Sequence, residues 1–201
     1  MAESNIQNYN HLKIHSQFSI CEGAIKIDDL KDFSKENKIR CIGLSDTSNL
    51  CGALEFAEKI SKSGTQPIIG TQINFKYGET TGLLPLYALN EEGYKRIIEL
   101  SSLSYLNNDD ISDPHLKFDE LLIKNNGVAL FSGTINGFFG ELFNKGKFSE
   151  IKELYNKLRS DILDKGNHQA RNIDVELSHY NVDMQKHELK LPIIITKEDR
   201  K

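Results

Sequence analysis

The sequence predicts an α/β fold, because short apolar runs alternate with longer amphipathic segments along most of its 201 residues. The short runs are typical of buried strands and the longer segments of helices. Strands separated by helices favour a mainly parallel sheet, since parallel strands need crossover connections. A doubly wound open sheet and a barrel both fit this order. Because a complete eight-unit barrel needs about 250 residues, we expect a barrel-like fold short of its final units.

The same pattern predicts each element in turn. Strands are expected at residues 11–15, 41–45, 67–73, 84–89, 128–132, 173–177 and 191–196. Helices are expected at residues 27–37, 49–63, 91–106, 118–124, 138–144 and 149–163. In the second helix, Leu50, Leu54 and Ala57 recur at helical spacing. We expect a flexible tail at residues 1–9, followed by one domain at residues 10–201.

Charge, hydropathy and cysteine spacing disfavour several classes of protein. A net charge of −4 argues against a self-sufficient DNA-binding surface. No apolar run approaches the roughly 20 residues that cross a bilayer, and the polar N-terminus lacks a secretory signal, which favours the cytoplasm. Cys21, Cys41 and Cys51 lack metal-binding spacing, so reduced thiols are expected.

Candidate functional residues follow the predicted strand ends, where α/β folds place their sites. Lys13 and His15 share one face of the first strand, and Glu22 follows in the loop. A strand end with a hydrogen-bonded histidine is the alternative interpretation. Asp46 and Thr47 follow the second strand, where a helix cap and a functional role both remain open.

Two further candidates lie later in the chain. Gln72 ends the third predicted strand, and its amide is a poor metal ligand. Thr134 follows the strand at 128–132, in a loop that contains glycine. This loop is not a P-loop, because the Gly-Lys-Ser/Thr ending is absent.

Several stretches together resemble one family. They are HLKIHSQFSICEGAIKIDDL (11–30), IGLSDTSNLCGALEFAEKISKSGTQPIIGTQI (42–73) and LNEEGYKRIIELSSLSYL (89–106), with weaker matches in FSGTINGFFGEL (131–142) and IDVELSHYN (173–181). Their order and spacing resemble the PHP domain that opens bacterial DNA polymerase III alpha subunits. The resemblance implies a distorted, TIM-like (β/α)7 barrel, here truncated before its last units.

The resemblance also implies a metal site at the strand ends. Active members of the family hold Mn²⁺, Mg²⁺ or Zn²⁺, which activate water for phosphoester hydrolysis. Other members have lost ligands and instead bind a separate 3′–5′ exonuclease subunit. In this sequence Lys13, Thr47, Gln72 and Thr134 stand where the family has metal-binding side chains.

The remaining ligand types are His15, Glu22 and Asp46, which would hold a metal only if one is retained. Removing acidic and imidazole ligands works against binding divalent cations. The ammonium group of Lys13 is expected to neutralise Glu22 and Asp46 in place of a metal. We therefore expect no cofactor and assign no catalytic residue.

The resemblance implies a role in DNA replication. We expect a structural module of a DNA polymerase III alpha subunit that also docks the proofreading exonuclease. The parent protein would be a DNA-directed DNA polymerase, a nucleotidyltransferase, whose catalytic triad would lie beyond residue 201, so this chain alone is expected to be inactive. Its expected partners are the rest of the alpha subunit and the exonuclease subunit, with DNA reached only through the full polymerase and no membrane contact.

Two alternatives remain at this point. The chain could be a metal-dependent phosphoesterase or 3′–5′ exonuclease with a reduced metal site. It could also be a stand-alone hydrolase or an unrelated α/β binding protein. A nuclease assay with Mn²⁺ separates the first alternative from a non-catalytic module.

Overall fold

The computed structural model describes residues 10–108, 113–123, 126–133 and 135–164, which form a mixed α/β fold. The chain divides into two compact units, Met1–Thr71 and Gln72–Lys201, and the boundary falls within one strand. The predicted tail at residues 1–9, the predicted strands at 173–177 and 191–196, and Thr134 lie outside the described residues.

Five strands and six helices occupy the described part of the chain. The strands are β1 (Cys41–Thr47), β2 (Gln66–Tyr77), β3 (Thr80–Ala88), β4 (Leu116–Lys117) and β5 (Val128–Leu130). The helices are α1 (Ile27–Glu36), α2 (Ala53–Lys62), α3 (Glu91–Leu106), α4 (Phe118–Leu122), α5 (Phe138–Asn144) and α6 (Phe148–Asp164). Within the described ranges, none of these helices combines the length and the hydropathy of a transmembrane span.

The first unit packs two helices with β1 around one apolar cluster. The cluster consists of buried side chains from α1, β1 and α2: Ile27, Leu30, Ile42, Leu44, Phe56 and Ile60. Each such side chain contributes about 1.5–3 kcal/mol when it leaves water. Leu54, which we expected on the apolar face of α2, is 71% exposed, since that helix buries Ala53, Phe56 and Ile60 instead.

The predicted strand at residues 11–15 is an extended segment beside β1 rather than a regular strand. The Gly43 N–H donates to the His11 carbonyl at 2.8 Å, and the Ser45 N–H donates to the Ile14 carbonyl at 2.8 Å. Between these two bonds lie two residues on one side, Leu12 and Lys13, and one on the other, Leu44, which interrupts a regular ladder. Gly43 permits this close approach, because a Cβ there would overlap the Leu12 carbonyl oxygen.

The expectation of a mainly parallel sheet is wrong for the described strands. β1 and the first half of β2 run parallel, since Gln66 N–H donates to the Arg40 carbonyl and Thr71 Oγ1 donates to the Asp46 carbonyl. β2 also pairs in parallel with β4. However, β3 pairs with β5 in the antiparallel sense, and only two residues connect β2 to its neighbour β3. So short a connection joins antiparallel strands only.

The second unit has a core rich in phenylalanine. The Phe118 ring stacks on Phe138 with centroids 5.2 Å apart, and Phe75 meets Phe118 edge-on at 6.5 Å. These three side chains are at most 1% exposed. They attach α4 and α5 to the second half of β2, and aromatic contacts of this kind add about 0.5–1.5 kcal/mol beyond area burial.

Candidate functional site

The candidate site lies in the first unit, where the C-terminal end of β1 meets the loop after His15. Asp46 is 1% exposed, and its carboxylate accepts three hydrogen bonds from that loop. Its Oδ1 accepts the Ser16 N–H at 2.6 Å and the Ser19 hydroxyl at 2.7 Å. Its Oδ2 accepts the Ser16 hydroxyl at 2.7 Å. The carboxylate therefore joins the loop to the end of β1.

Further hydrogen bonds attach the same loop to the segment after β1. The Thr47 N–H donates to Ser19 Oγ at 3.0 Å. The Asn49 side-chain amide donates to the Phe18 carbonyl at 3.0 Å and to the Thr47 carbonyl at 2.9 Å. Asn49 also accepts the Cys51 N–H at 3.1 Å, so its side chain connects two loops and does not cap α2.

His15, Glu22 and Thr47 form a more exposed group beside the buried carboxylate. The loop turns back because the Glu22 N–H donates to the Ser19 carbonyl at 3.0 Å. Glu22 Oε2 then lies 3.8 Å from His15 Nδ1 and accepts the hydroxyl of Thr47. Ser19 Oγ lies 3.4 Å from the same His15 nitrogen.

The surroundings of His15 set its charge state. Partial burial lowers the pKa of His15 below its ordinary value, because the charged imidazolium loses solvation. The carboxylate of Glu22 opposes this lowering of the pKa, the ammonium of Lys13 adds to it, and the carboxylate of Asp46 opposes it. The net effect on the pKa favours the neutral imidazole.

The structure brings four of the seven predicted site residues together in this unit: His15, Glu22, Asp46 and Thr47. The Lys13 side chain is exposed and acts on His15 through its charge. Gln72 is buried, but it lies inside β2 rather than at a strand end, because that strand continues to Tyr77, and this half of β2 belongs to the second unit. Thr134 lies outside the described residues.

Two residues at the centre of the site were not predicted as functional. Ser16 and Ser19 are at most 1% exposed, and both donate to Asp46. Their bonds span 30 and 27 positions of the chain, so no local pattern in the sequence indicates them.

The donor set does not suit the divalent metals that the family resemblance implies. Such sites need several carboxylate or imidazole ligands that are free to turn toward the ion. Here Asp46 is engaged by serines and a backbone N–H, and Glu22 accepts from Thr47. Across the described ranges, no three His, Cys, Asp or Glu side chains form a group that could hold a metal ion.

Comparisons with known proteins agree with the family resemblance. The family described as PHP domain matches residues 11–167. The DNA polymerase III subunit alpha of Caulobacter vibrioides is 35% identical over 158 residues, covering 75% of this chain and 14% of that protein. The protein of the same name from Rickettsia felis is 33% identical over 154 residues, covering 76% of this chain and 13% of its own length. The chain thus spans about one seventh of these curated relatives.

Among solved structures, a protein from Bifidobacterium adolescentis named as a candidate metal-dependent phosphoesterase is similar at a TM-score of 0.40. It is 14% identical, and the match covers 48% of this chain and 33% of that one. The likeness is too distant to bear on activity.

Proposed function

This chain belongs to the PHP domain family, and from that premise we propose that it is the N-terminal module of a DNA polymerase III alpha subunit. In this role it supports the polymerase during DNA replication and docks the proofreading 3′–5′ exonuclease. The similarity to curated alpha subunits over about three quarters of this chain supports the assignment to replication. The nucleotidyl transfer reaction belongs to the parent protein and not to this chain.

The observation that supports a non-catalytic role is the hydrogen bonding of the Asp46 carboxylate. A catalytic metal centre would use this carboxylate as a ligand, yet its oxygens accept three short hydrogen bonds inside the protein. Lys13 also places a positive charge near His15, which disfavours a cation there. We assign the vestigial metal positions to Lys13, His15, Glu22, Asp46, Thr47, Gln72 and Thr134.

Docking is tested by titrating the full 201-residue chain with the 3′–5′ exonuclease subunit of the same replicase in a calorimeter. We expect saturable binding with one exonuclease per chain. A nuclease of a different fold serves as the control and should give no heat of binding. Absence of binding to the replicase exonuclease would contradict the docking role.

The alternative is a metal-dependent phosphoesterase or 3′–5′ exonuclease with a reduced site. One observation favours it: the neutral imidazole of His15 lies beside Glu22, and both side chains reach solvent, being 22% and 41% exposed. A nuclease assay with Mn²⁺ on the purified chain separates the two functions. Activity that disappears in His15→Ala would support the alternative, whereas equal background rates in both proteins support the docking module.

The same proposal extends to architecture and location. A complete domain of this family would be a distorted, TIM-like (β/α)7 barrel, and we assign residues 10–201 to that domain. We place the protein in the cytoplasm with the replication machinery. Its partners would be the rest of the alpha subunit and the exonuclease, and DNA would reach it only through the full polymerase.

A further inference from the structure

We infer that Ser16 and Ser19 take the structural place of a metal ion, so that Asp46 is a fixed cross-link of the fold rather than a ligand. The inference deepens the proposed non-catalytic role and rests on it for its biological meaning. Its physical basis is confined to the first unit, and it concerns how the loop after His15 is held against β1.

The carboxylate of Asp46 already accepts most of the hydrogen bonds that it can accept. A carboxylate offers about four lone-pair positions, and three of them accept donors at 2.6–2.7 Å. All three donors come from Ser16 and Ser19, which are themselves buried. A cation that displaced a serine from Asp46 would leave buried polar groups without their partners, which costs free energy.

A glycine and two apolar side chains lie near Asp46 Oδ2. A Cβ placed on Gly52 would lie 3.3 Å from Asp46 Oδ2 and 3.3 Å from Ile27 Cδ1. The same position would lie 2.7 Å from the Phe18 ring. Gly52 and the apolar side chains of Phe18 and Ile27 therefore lie close to this oxygen, and none of these three residues offers a side-chain ligand to a hydrated ion.

Each serine hydroxyl also accepts a backbone N–H while it donates to Asp46. Ser16 Oγ accepts the Phe18 N–H at 3.3 Å, and Ser19 Oγ accepts the Thr47 N–H at 3.0 Å. The loop and the end of β1 are thus held by hydrogen bonds that pass through one carboxylate. A bridging metal connects strand ends in the same way, but here neutral hydroxyls do so without added charge.

The first test is calorimetry and thermal melting of the full chain with Mn²⁺ alone and with a chelator. We expect no stoichiometric heat of binding and no change in Tm under either condition. Saturable Mn²⁺ binding that is lost in Asp46→Asn would overturn the inference. This outcome is independent of exonuclease docking, so failure of the inference and failure of the proposed function are distinguishable.

The second test is a double-mutant cycle between Ser19→Ala and Asp46→Asn, followed by melting. We expect each single change to lower Tm by about 3–10 °C. The decrease in Tm of the double variant should be clearly smaller than the sum of the two single decreases, because both changes break the same hydrogen bond. Ser102→Ala is the matched control, since that exposed hydroxyl only donates to a carbonyl of its own helix. Additive losses would contradict the cross-link.

A third measurement applies if Asp46→Asn does not fold. Amide hydrogen exchange at Thr47 reports the bond to Ser19 directly. Ser19→Ala should accelerate exchange at this amide by about tenfold or more relative to Ser102→Ala. An unchanged exchange rate would show that Ser19 does not hold the end of β1.

Discussion

The imidazole of His15 lies between groups of opposite charge, and its protonation is coupled to folding. Burial lowers its pKa below the ordinary value of 6.5. The unfolded chain therefore binds a proton more readily than the folded chain does as the pH falls. The stabilising contribution of neutral His15 is fully present above the unfolded pKa and is lost as the pH falls toward the folded pKa.

His15→Gln should reduce the acid sensitivity of the protein. Between about pH 7.5 and about pH 5.5, we expect the Tm of the wild-type chain to fall more than that of the variant, because glutamine does not titrate. Thermal melts at several pH values measure the difference. The exposed His11→Gln serves as the control and should retain the wild-type fall in Tm. Identical pH profiles for His15→Gln and wild type would contradict this account.

Gly43→Ala should destabilise the first unit, because the added methyl group would overlap the Leu12 carbonyl oxygen. We expect a loss of about 1–3 kcal/mol in the free energy of unfolding, as is usual for overpacked sites. Urea denaturation measures this loss. Ser61→Ala on the exposed face of α2 is the control and should change stability little. Equal stability of the two variants would show that the segment at 11–15 shifts to accommodate the methyl group without loss of stability.

Part of the site could be predicted from single residues. Strand-end position and chemistry indicated His15, Glu22, Asp46 and Thr47 as candidates, and the structure places these four residues near one another. Ser16 and Ser19 could not be found in this way, because a serine carries no charge and its partner is distant in the chain. That the serines hold Asp46 follows only from the fold.

At the scale of elements, a buried arginine holds α4 against α3 in the second unit. One guanidinium nitrogen of Arg96 donates to the Glu120 carbonyl at 2.8 Å and to the Ile123 carbonyl at 2.6 Å. The second terminal nitrogen of the guanidinium forms an ion pair with the Glu99 carboxylate at 2.8 Å. A short helix such as α4 leaves most of its last carbonyls without intrahelical partners, and Arg96 satisfies two in this region.

Arg96→Lys should loosen this attachment, since one ammonium cannot reproduce the planar fork of donors. We expect the free energy of unfolding to fall by about 1–3 kcal/mol, measured by urea denaturation. Lys95→Ala is the matched control on α3, because Lys95 and its partner Glu91 are 71% and 81% exposed and such pairs contribute little. A loss no larger than that of the control would contradict a capping role for Arg96.

Helices were more predictable than sheet direction. α3 begins and ends as expected, because Asn90 accepts the Gly93 N–H as an N-cap and the apolar spacing continues to Leu106. α2 begins at Ala53 rather than at residue 49, since Asn49 bonds to Phe18 instead. Strand direction depends on which strands pair. Alternation of strands and helices does not reveal that β3 pairs antiparallel with β5.

At the scale of the whole molecule, the balance of charge sets what the chain can bind alone. A net charge of −4 leaves no excess of cations to displace counterions from a duplex. We expect no binding of duplex DNA with a Kd below about 10 µM at about 0.15 M salt, measured by fluorescence anisotropy with the full chain. Tighter binding that weakens steeply with added salt would contradict this expectation and favour direct DNA contact.

The hydroxyl of Ser19 has a further consequence for the ring beside it. A hydroxyl has one proton and two lone pairs; here Asp46 receives the proton and Thr47 N–H occupies one lone pair. The second lone pair remains for His15 Nδ1, which lies 3.4 Å from Ser19 Oγ. This contact is favourable only if Nδ1 carries a proton to donate. We therefore expect the neutral ring to adopt the Nδ1–H tautomer, which leaves Nε2 as its basic nitrogen, and ¹⁵N chemical shifts of the imidazole measure which nitrogen carries the proton.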